Sequence, residues 1–395
     1  MIKLIKSTFY KEKKVKDKLC KFISNASQLS MGKECGKFED NFSKWQGRKH
    51  CIMVNSGSSA NLAIVQSLLN LGRIKKGDLI GFSAVTWSTN VMPLIQLDLK
   101  PVPIDVELDT LNVSSRMLLV KLKRFPIKML FLTNLLGFCD DIDEIKRICR
   151  EKKIILIEDN CESLGTVYKG RKLGNFGLAS TFSFYVGHHL STIEGGAICT
   201  DDGNLEAMLR MVRAHGWDRN LTQREQLKIR QKYNINSTFY SRYTFYDLGY
   251  NLRTTEISGF IGNAQMPYLD EILTKRKENF MKIAKVIHKK SNIFYPVRYD
   301  HIDFLSNFAV PLICKTKRIR DELVEKCRDI LEIRPIVGGD IIAQPFFKKY
   351  VNGFIGKNRN AKTIHEQGLY FGNNPEMTKK DMAQIFNIIS EINER

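Results

Sequence analysis

The chain is 395 residues long, 43% hydrophobic and 26% charged, with a formal net charge of +20; this balance is ordinary for a soluble globular enzyme, and the length suits two domains better than one. No run of about 18 apolar residues occurs, which argues against a transmembrane helix. The charged opening Met1-Ile-Lys-Leu-Ile-Lys6 has no long apolar stretch behind it, so no secretory signal is expected and the cytoplasm is the expected compartment.

Lys11 to Ala26 places Val15, Leu19, Phe22 and Ile23 at helical spacing and predicts an amphipathic opening helix. Cys51-Ile-Met-Val54 reads as a short buried strand, Asn55-Ser-Gly-Ser-Ser59 as a turn, and Ala60 to Leu71 as a helix ended by Gly72. Further strands are expected at Leu79 to Ala84, Val102 to Val106, Met129 to Thr133, Ile154 to Ile157, Ser180 to Phe184 and Ala197 to Thr200, with helices between most of them. From about Thr255 to Lys290 the pattern becomes long and helical, and the remainder reads as a smaller domain. The expected division is therefore 1–265 and 266–395.

Strands alternating with helices predict an α/β layer on a mainly parallel sheet, whose ligands bind beyond the carboxyl ends of the strands. The candidate chemistry falls there: the Ser-Gly-Ser-Ser turn and Trp87 follow strands, Asp159 closes one, and His188 comes just after one.

The nine cysteines are scattered singly with no C-x-x-C pair, a pattern that fits reduced thiols better than a disulfide framework or a zinc site. Lysine is spread along the whole chain, with a modest cluster from Lys11 to Lys21. The charge thus reads first as a solvated surface, with an anionic substrate or a polyanion partner as alternatives.

Each site element has two readings. Ser56-Gly-Ser-Ser59 entering a helix is either an N-cap or an anion cradle of hydroxyls and free amides. Asp159 is a turn residue or a carboxylate that keeps a pyridine nitrogen protonated. Trp87 is a core aromatic or a ring stacked on a flat cofactor. His188 and His189 have no partners at metal-binding spacing, so no metal is expected; a neutral imidazole suits general base work.

In order and spacing these residues resemble the DegT/DnrJ/EryC1/StrS sugar aminotransferase family of pyridoxal phosphate (PLP) fold type I enzymes, from Ser30-Met-Gly-Lys33 to Phe371-Gly-Asn-Asn374. The resemblance implies an aspartate aminotransferase-like α/β fold, with a large cofactor-binding domain on a mainly parallel sheet and a smaller C-terminal α/β domain. It implies that Gly57, Ser58 and Ser183 bind the cofactor phosphate, Trp87 stacks on the ring, Asp159 meets the pyridine nitrogen and Glu162 lies near the ring hydroxyl. It also implies a homodimer in which Asn251, in Gly249-Tyr-Asn-Leu-Arg253, reaches the partner subunit's cofactor phosphate.

The family's internal lysine lies six residues before the glutamate of its Glu-Gly-Gly motif, and six back from Glu194 is His188. His188, rather than His189, is therefore the candidate catalytic base. Ile193 stands where many members have glycine. An imidazole moves protons but lacks the primary amine that would bond the cofactor, which points away from transamination and toward elimination.

The His-His branch of the family comprises sugar 3-dehydratases. One kind carries an iron–sulfur cluster on cysteines spread over the hundred residues after the histidines; this chain has no cysteine between Cys199 and Cys314 and cannot build it in that way. The other takes GDP-4-keto-6-deoxy-D-mannose without iron, and Glu158-Asp-Asn-Cys-Glu-Ser163, Arg213-Ala-His-Gly-Trp217 and Arg334-Pro-Ile336 resemble it.

The implied cofactor is PLP, cycling through pyridoxamine 5'-phosphate (PMP), with no iron–sulfur cluster. The implied partners are a GDP-linked 4-keto-6-deoxy sugar and L-glutamate as amino donor, with no nucleic acid or membrane; the implied setting is lipopolysaccharide O-antigen synthesis. The alternatives are an aminotransferase with an unusual histidine base, and a non-enzymatic cofactor or polyanion binder.

Overall fold

The computed structural model describes residues 1–351, 353 and 356–393. Helices α1 (Glu12–Asn25) and α2 (Lys33–Gln46) open the chain. α2 buries Cys35, Phe38 and Phe42, which fall on one face at helical spacing.

A seven-stranded sheet follows. Its strands are β1 (His50–Val54), β2 (Leu79–Ser83), β3 (Lys100–Ile104), β4 (Met129–Thr133), β5 (Ile155–Asp159), β6 (Ala179–Ser183) and β7 (Gly196–Thr200), in the spatial order β1-β7-β6-β5-β4-β2-β3. The pairs β2–β3, β2–β4, β4–β5 and β5–β6 are parallel, whereas β7 runs antiparallel to both β1 and β6. The expected mainly parallel sheet is thus present, with β7 reversed.

Covering the sheet on both faces explains its composition, because strands flanked by helices read as apolar runs. Every residue of β4, Met-Leu-Phe-Leu-Thr, is buried. Helix α3 (Gly57–Asn70) lays Ala60, Ile64, Val65 and Leu68 on one side, among Ile80, Met129, Phe131 and Ile157. The other side carries α4 (Ile142–Glu151), with Ile142, Ile145, Ile148 and Cys149 buried at helical spacing.

The expected strands all form, with ends within two residues of those expected. The notable correction is α3, which starts at Gly57 and not at Ala60. Ser56 is its N-cap, with a side chain that accepts from the Ser59 N–H at 3.0 Å, so the helix absorbs Gly57, Ser58 and Ser59 of the expected turn.

The long helical stretch resolves into α5 (Glu256–Gln265) and α6 (Leu269–Lys289). Beyond them lies a four-stranded antiparallel sheet of β8 (Phe294–Tyr295), β9 (Ala309–Cys314), β10 (Ile333–Pro335) and β11 (Gly368–Gly372), in the order β8-β9-β11-β10, closed by α7 (Lys379–Glu391). The opening residues return to this region: the Ile2 N–H donates to the Ile330 carbonyl, and the Glu332 N–H donates back to the Ile2 carbonyl. This pins Leu4 and Ile5 over the carboxyl ends of the large sheet's central strands.

Candidate active site

A cavity of about 320 Å³ opens at those strand ends. Its walls include Gly57, Ser58, Trp87, Asp159, Glu162, Ser183 and His188, so one space gathers seven of the eight residues singled out from sequence. Asn251 is not among them. It is exposed, with its side-chain oxygen accepting from Arg253 Nε at 3.0 Å.

One end of the cavity is the N-terminus of α3. Gly57 and Ser58 occupy the first turn, where helical N–H groups have no intrahelical acceptor, and among the described residues neither amide has a partner in the chain. Glycine is required here by close approach. A Cβ at position 57 would lie 2.7 Å from Ser183 Cβ and 3.0 Å from Cys161 Sγ. The Ser183 hydroxyl ends β6 beside this turn, and hydroxyls with free amides at a helix N-terminus suit a phosphate.

The same cavity is lined by Asp159, only 4% exposed at the end of β5. Its Oδ2 accepts from Asn61 Nδ2 at 3.0 Å and Asn90 Nδ2 at 2.7 Å; its Oδ1 accepts from the Cys161 N–H at 2.9 Å. Three neutral donors fix the carboxylate, and among the described residues no cation pairs with it. Such an acid is prepared to hold a protonated ring nitrogen.

Trp87 is 53% exposed, which rules out the core reading and leaves its ring on the cavity wall. Glu162 Oε2 accepts from the Leu136 N–H at 2.9 Å. Burial, reinforced by the negative charge of Asp159, pushes its carboxyl up to about 8, so it holds a proton at neutral pH.

The two histidines take different places. His188 lies on the cavity wall, its ring stacked on Phe308 with centroids 5.0 Å apart and planes 7° from parallel. Its Nδ1 is 2.5 Å from the Cys161 carbonyl oxygen. A carbonyl can only accept, so Nδ1 carries the proton and Nε2 keeps its lone pair. Burial pushes the imidazole down to about 4, against the raising effects of the Cys161 carbonyl and Asp159, and the ring is neutral at physiological pH. His189 is buried away from this cavity, and neither ring nitrogen has a partner among the described residues.

No lysine lines the cavity among the described residues. Ile193, just before Glu194, has φ +72°, in the left-handed region that favours glycine. Shortly before Asn251 in sequence, the chain also exposes the aromatic side chains Phe239, Tyr240, Tyr243 and Phe245.

Sequence reading missed Asn61 and Asn90, which orient Asp159, and Leu4, Ile5, Phe308, Val337 and Tyr370 on the cavity wall. Asn61 carried a usable signal: it stands four residues after Gly57, hence on the same helix face. The others come from distant segments that only the fold brings together.

These residues fit PLP or PMP. The glycine cradle at the α3 N-terminus suits the phosphate, the three-donor carboxylate suits the ring nitrogen, and Trp87 on the same cavity wall offers a stacking surface. No metal-binding group of three His, Cys, Asp or Glu side chains occurs among the described residues.

The model of the DegT/DnrJ/EryC1/StrS aminotransferase family matches residues 11–390. GDP-4-keto-6-deoxy-D-mannose 3-dehydratase of Escherichia coli O55:H7 (strain CB9615 / EPEC) is 34% identical over 357 residues, covering 89% of this chain and 90% of the relative. A crystal structure of a variant GDP-4-keto-6-deoxymannose 3-dehydratase with bound GDP-perosamine superposes with a TM-score of 0.88 at 30% identity, over 98% of this chain and 100% of the other. Another structure of that enzyme, with a trapped PLP-glutamate geminal diamine, gives 0.88 at 31% identity over 98% and 100%.

Proposed function

This chain belongs to the DegT/DnrJ/EryC1/StrS aminotransferase family, and we propose that it is a PLP-dependent nucleotide-sugar 3-dehydratase acting on GDP-4-keto-6-deoxy-D-mannose. The reaction removes the C3 hydroxyl and yields a 4-keto-3,6-dideoxy sugar. The single observation that carries this reading is a neutral imidazole, His188, in a cofactor site that offers no lysine.

The electron balance follows from the amino donor. L-glutamate loses two electrons and becomes 2-oxoglutarate, its nitrogen leaves as ammonia, and sugar C3 exchanges hydroxyl for hydrogen. When bound, PMP supplies the amine that condenses with the C4 ketone and a ring that accepts the released electron pair.

The chain's own residues do the rest. Gly57, Ser58 and Ser183 hold the phosphate, and Asp159 keeps the ring nitrogen protonated; with no covalent tether, noncovalent contacts such as these retain the cofactor. His188 takes a proton through Nε2 from the carbon that joins the cofactor's amine to its ring. The imidazolium so formed is stabilised at Nδ1–H by the Cys161 carbonyl. Lysine is a long mobile base that serves two carbons. The shorter imidazole, pinned at Nδ1 and stacked on Phe308, serves one, so elimination proceeds where an aminotransferase would reprotonate the sugar.

The chain is read as a cytoplasmic homodimer in lipopolysaccharide O-antigen synthesis. Exposed Asn251 and the neighbouring aromatic surface support a shared site in which Asn251 reaches the other subunit's phosphate, and no described helix is long and apolar enough to cross a membrane. The division into 1–265 and 266–395 places the two sheets in separate domains. The test is incubation with PLP, glutamate and a panel of GDP- and CDP-linked 4-keto-6-deoxy sugars. Conversion of the GDP-mannose derivative is expected; conversion of a CDP sugar alone would reject the substrate assignment.

A further inference from the structure

Helix α6 turns Leu269, Ile272, Leu273, Phe280, Ile283 and Ile287 into the core, and Arg276 occupies the same stripe. It is 6% exposed, and no carboxylate pairs with it among the described residues. A buried cation without a counter-ion is costly, and an apolar residue would pack the stripe equally well. What the guanidinium meets is main chain. Nη2 donates to the His188 carbonyl at 3.1 Å, and Nη1 donates to the Phe308 carbonyl at 3.3 Å and to the Asn373 carbonyl.

Two of these three carbonyls belong to the stacked pair at the active site, the imidazole of His188 and the ring of Phe308. One rigid planar fork, on a residue that does not line the cavity, therefore ties the loop carrying the base to the segment carrying the aromatic. A point-charge ammonium has no such planar array of donors.

We propose that Arg276 is a positioning residue that clamps His188 and Phe308 into one unit, so that the imidazole keeps its Nδ1–H tautomer and its Nε2 stays aimed at the reacting carbon. This rests on His188 being the base. It adds a control on that base from a helix outside the cofactor site.

The experiment compares wild type with Arg276→Met, which keeps the apolar stem without donors, and Arg276→Lys. In the methionine variant kcat should fall about 10- to 100-fold, the cost of a misplaced reacting group, while KM for the GDP-sugar stays within about twofold. In the cofactor-free variant the ¹⁵N resonances of His188 should show a mixture of tautomers, against the Nδ1–H form alone in wild type. Lysine should recover part of both losses.

Unchanged kcat and an unchanged tautomer in folded Arg276→Met would overturn the clamp, as would a lowered melting temperature with neither readout moved. Should both variants fail to fold, wild type still decides: the clamp requires separate, slowly exchanging Nη resonances for Arg276, and one averaged signal contradicts it. If wild type does not dehydrate the sugar, the proposed function fails, and the resonances of the cofactor-free protein continue to test the clamp.

Discussion

Asp159 and His188 are joined through the main chain of a single residue: the Cys161 N–H donates to Asp159 Oδ1 at 2.9 Å, and the Cys161 carbonyl meets His188 Nδ1 at 2.5 Å. The acid that supports the cofactor ring and the base that moves the proton are thus set relative to each other by one peptide segment. The direct link between them runs through main chain and two short side chains.

Replacing the base tests this arrangement. His188→Asn retains a polar side chain near the Cys161 carbonyl but offers no basic nitrogen. Dehydration should fall by about 10²–10⁴-fold, the usual contribution of a general base, with cofactor absorbance on the protein retained. Turnover within a few-fold of wild type would remove His188 from the mechanism.

Glu162 and His188 give the cofactor-free protein pH dependences of opposite sign. The folded Glu162 carboxyl keeps its proton up to about 8, whereas an unfolded one loses it near about 4.3. The folded state therefore binds more protons in that window, and stability falls as pH rises through it. The His188 imidazole titrates at about 4 when folded and at about 6.5 when unfolded, so its contribution falls as pH drops through that window. Melting temperatures of Glu162→Gln should decline less between pH 6.5 and 8 than those of wild type; parallel declines would contradict a protonated Glu162.

Gly57→Ala places a methyl 2.7 Å from Ser183 Cβ, so the α3 N-terminus or the end of β6 must shift. Overpacking of this kind costs about 1–3 kcal/mol. Cofactor affinity should fall at least about tenfold, read by fluorescence titration with PLP. Wild-type affinity would show that the phosphate lies elsewhere.

Ile193→Gly should raise the melting temperature slightly. A β-branched residue at φ +72° is strained, a cost of order 1–3 kcal/mol, and the half-exposed side chain surrenders little burial. The greater unfolded-state entropy of glycine offsets part of the gain, about 0.5–1 kcal/mol. A lower melting temperature would mean that the isoleucine packs against something more valuable than the strain it carries.

Much of this molecule was legible before its fold was known. Apolar runs such as Met129 to Thr133 and the acid closing the next strand marked both the sheet and its functional edge, because strand burial and strand ends leave local signatures. The onset of α3 is hidden in sequence because Ser-Gly-Ser-Ser is turn-like in composition; the Ser56 cap lets the helix begin at Gly57, which leaves two free amides at its first turn. Asn90 and Phe308 left no comparable trace. Their roles come from Asn90 meeting Asp159 across 69 residues and Phe308 meeting His188 from a still more distant segment, contacts that no local pattern encodes.

The choice between elimination and amino transfer is best settled with ¹⁵N-labelled glutamate, PLP and GDP-4-keto-6-deoxy-D-mannose, following the label by mass spectrometry. The label should appear in free ammonia, and the sugar should lose one oxygen at C3 while keeping its C4 ketone. Label retained on the sugar as a C4 amine, with the C3 hydroxyl intact, would show an aminotransferase using a histidine and would contradict the dehydratase reading.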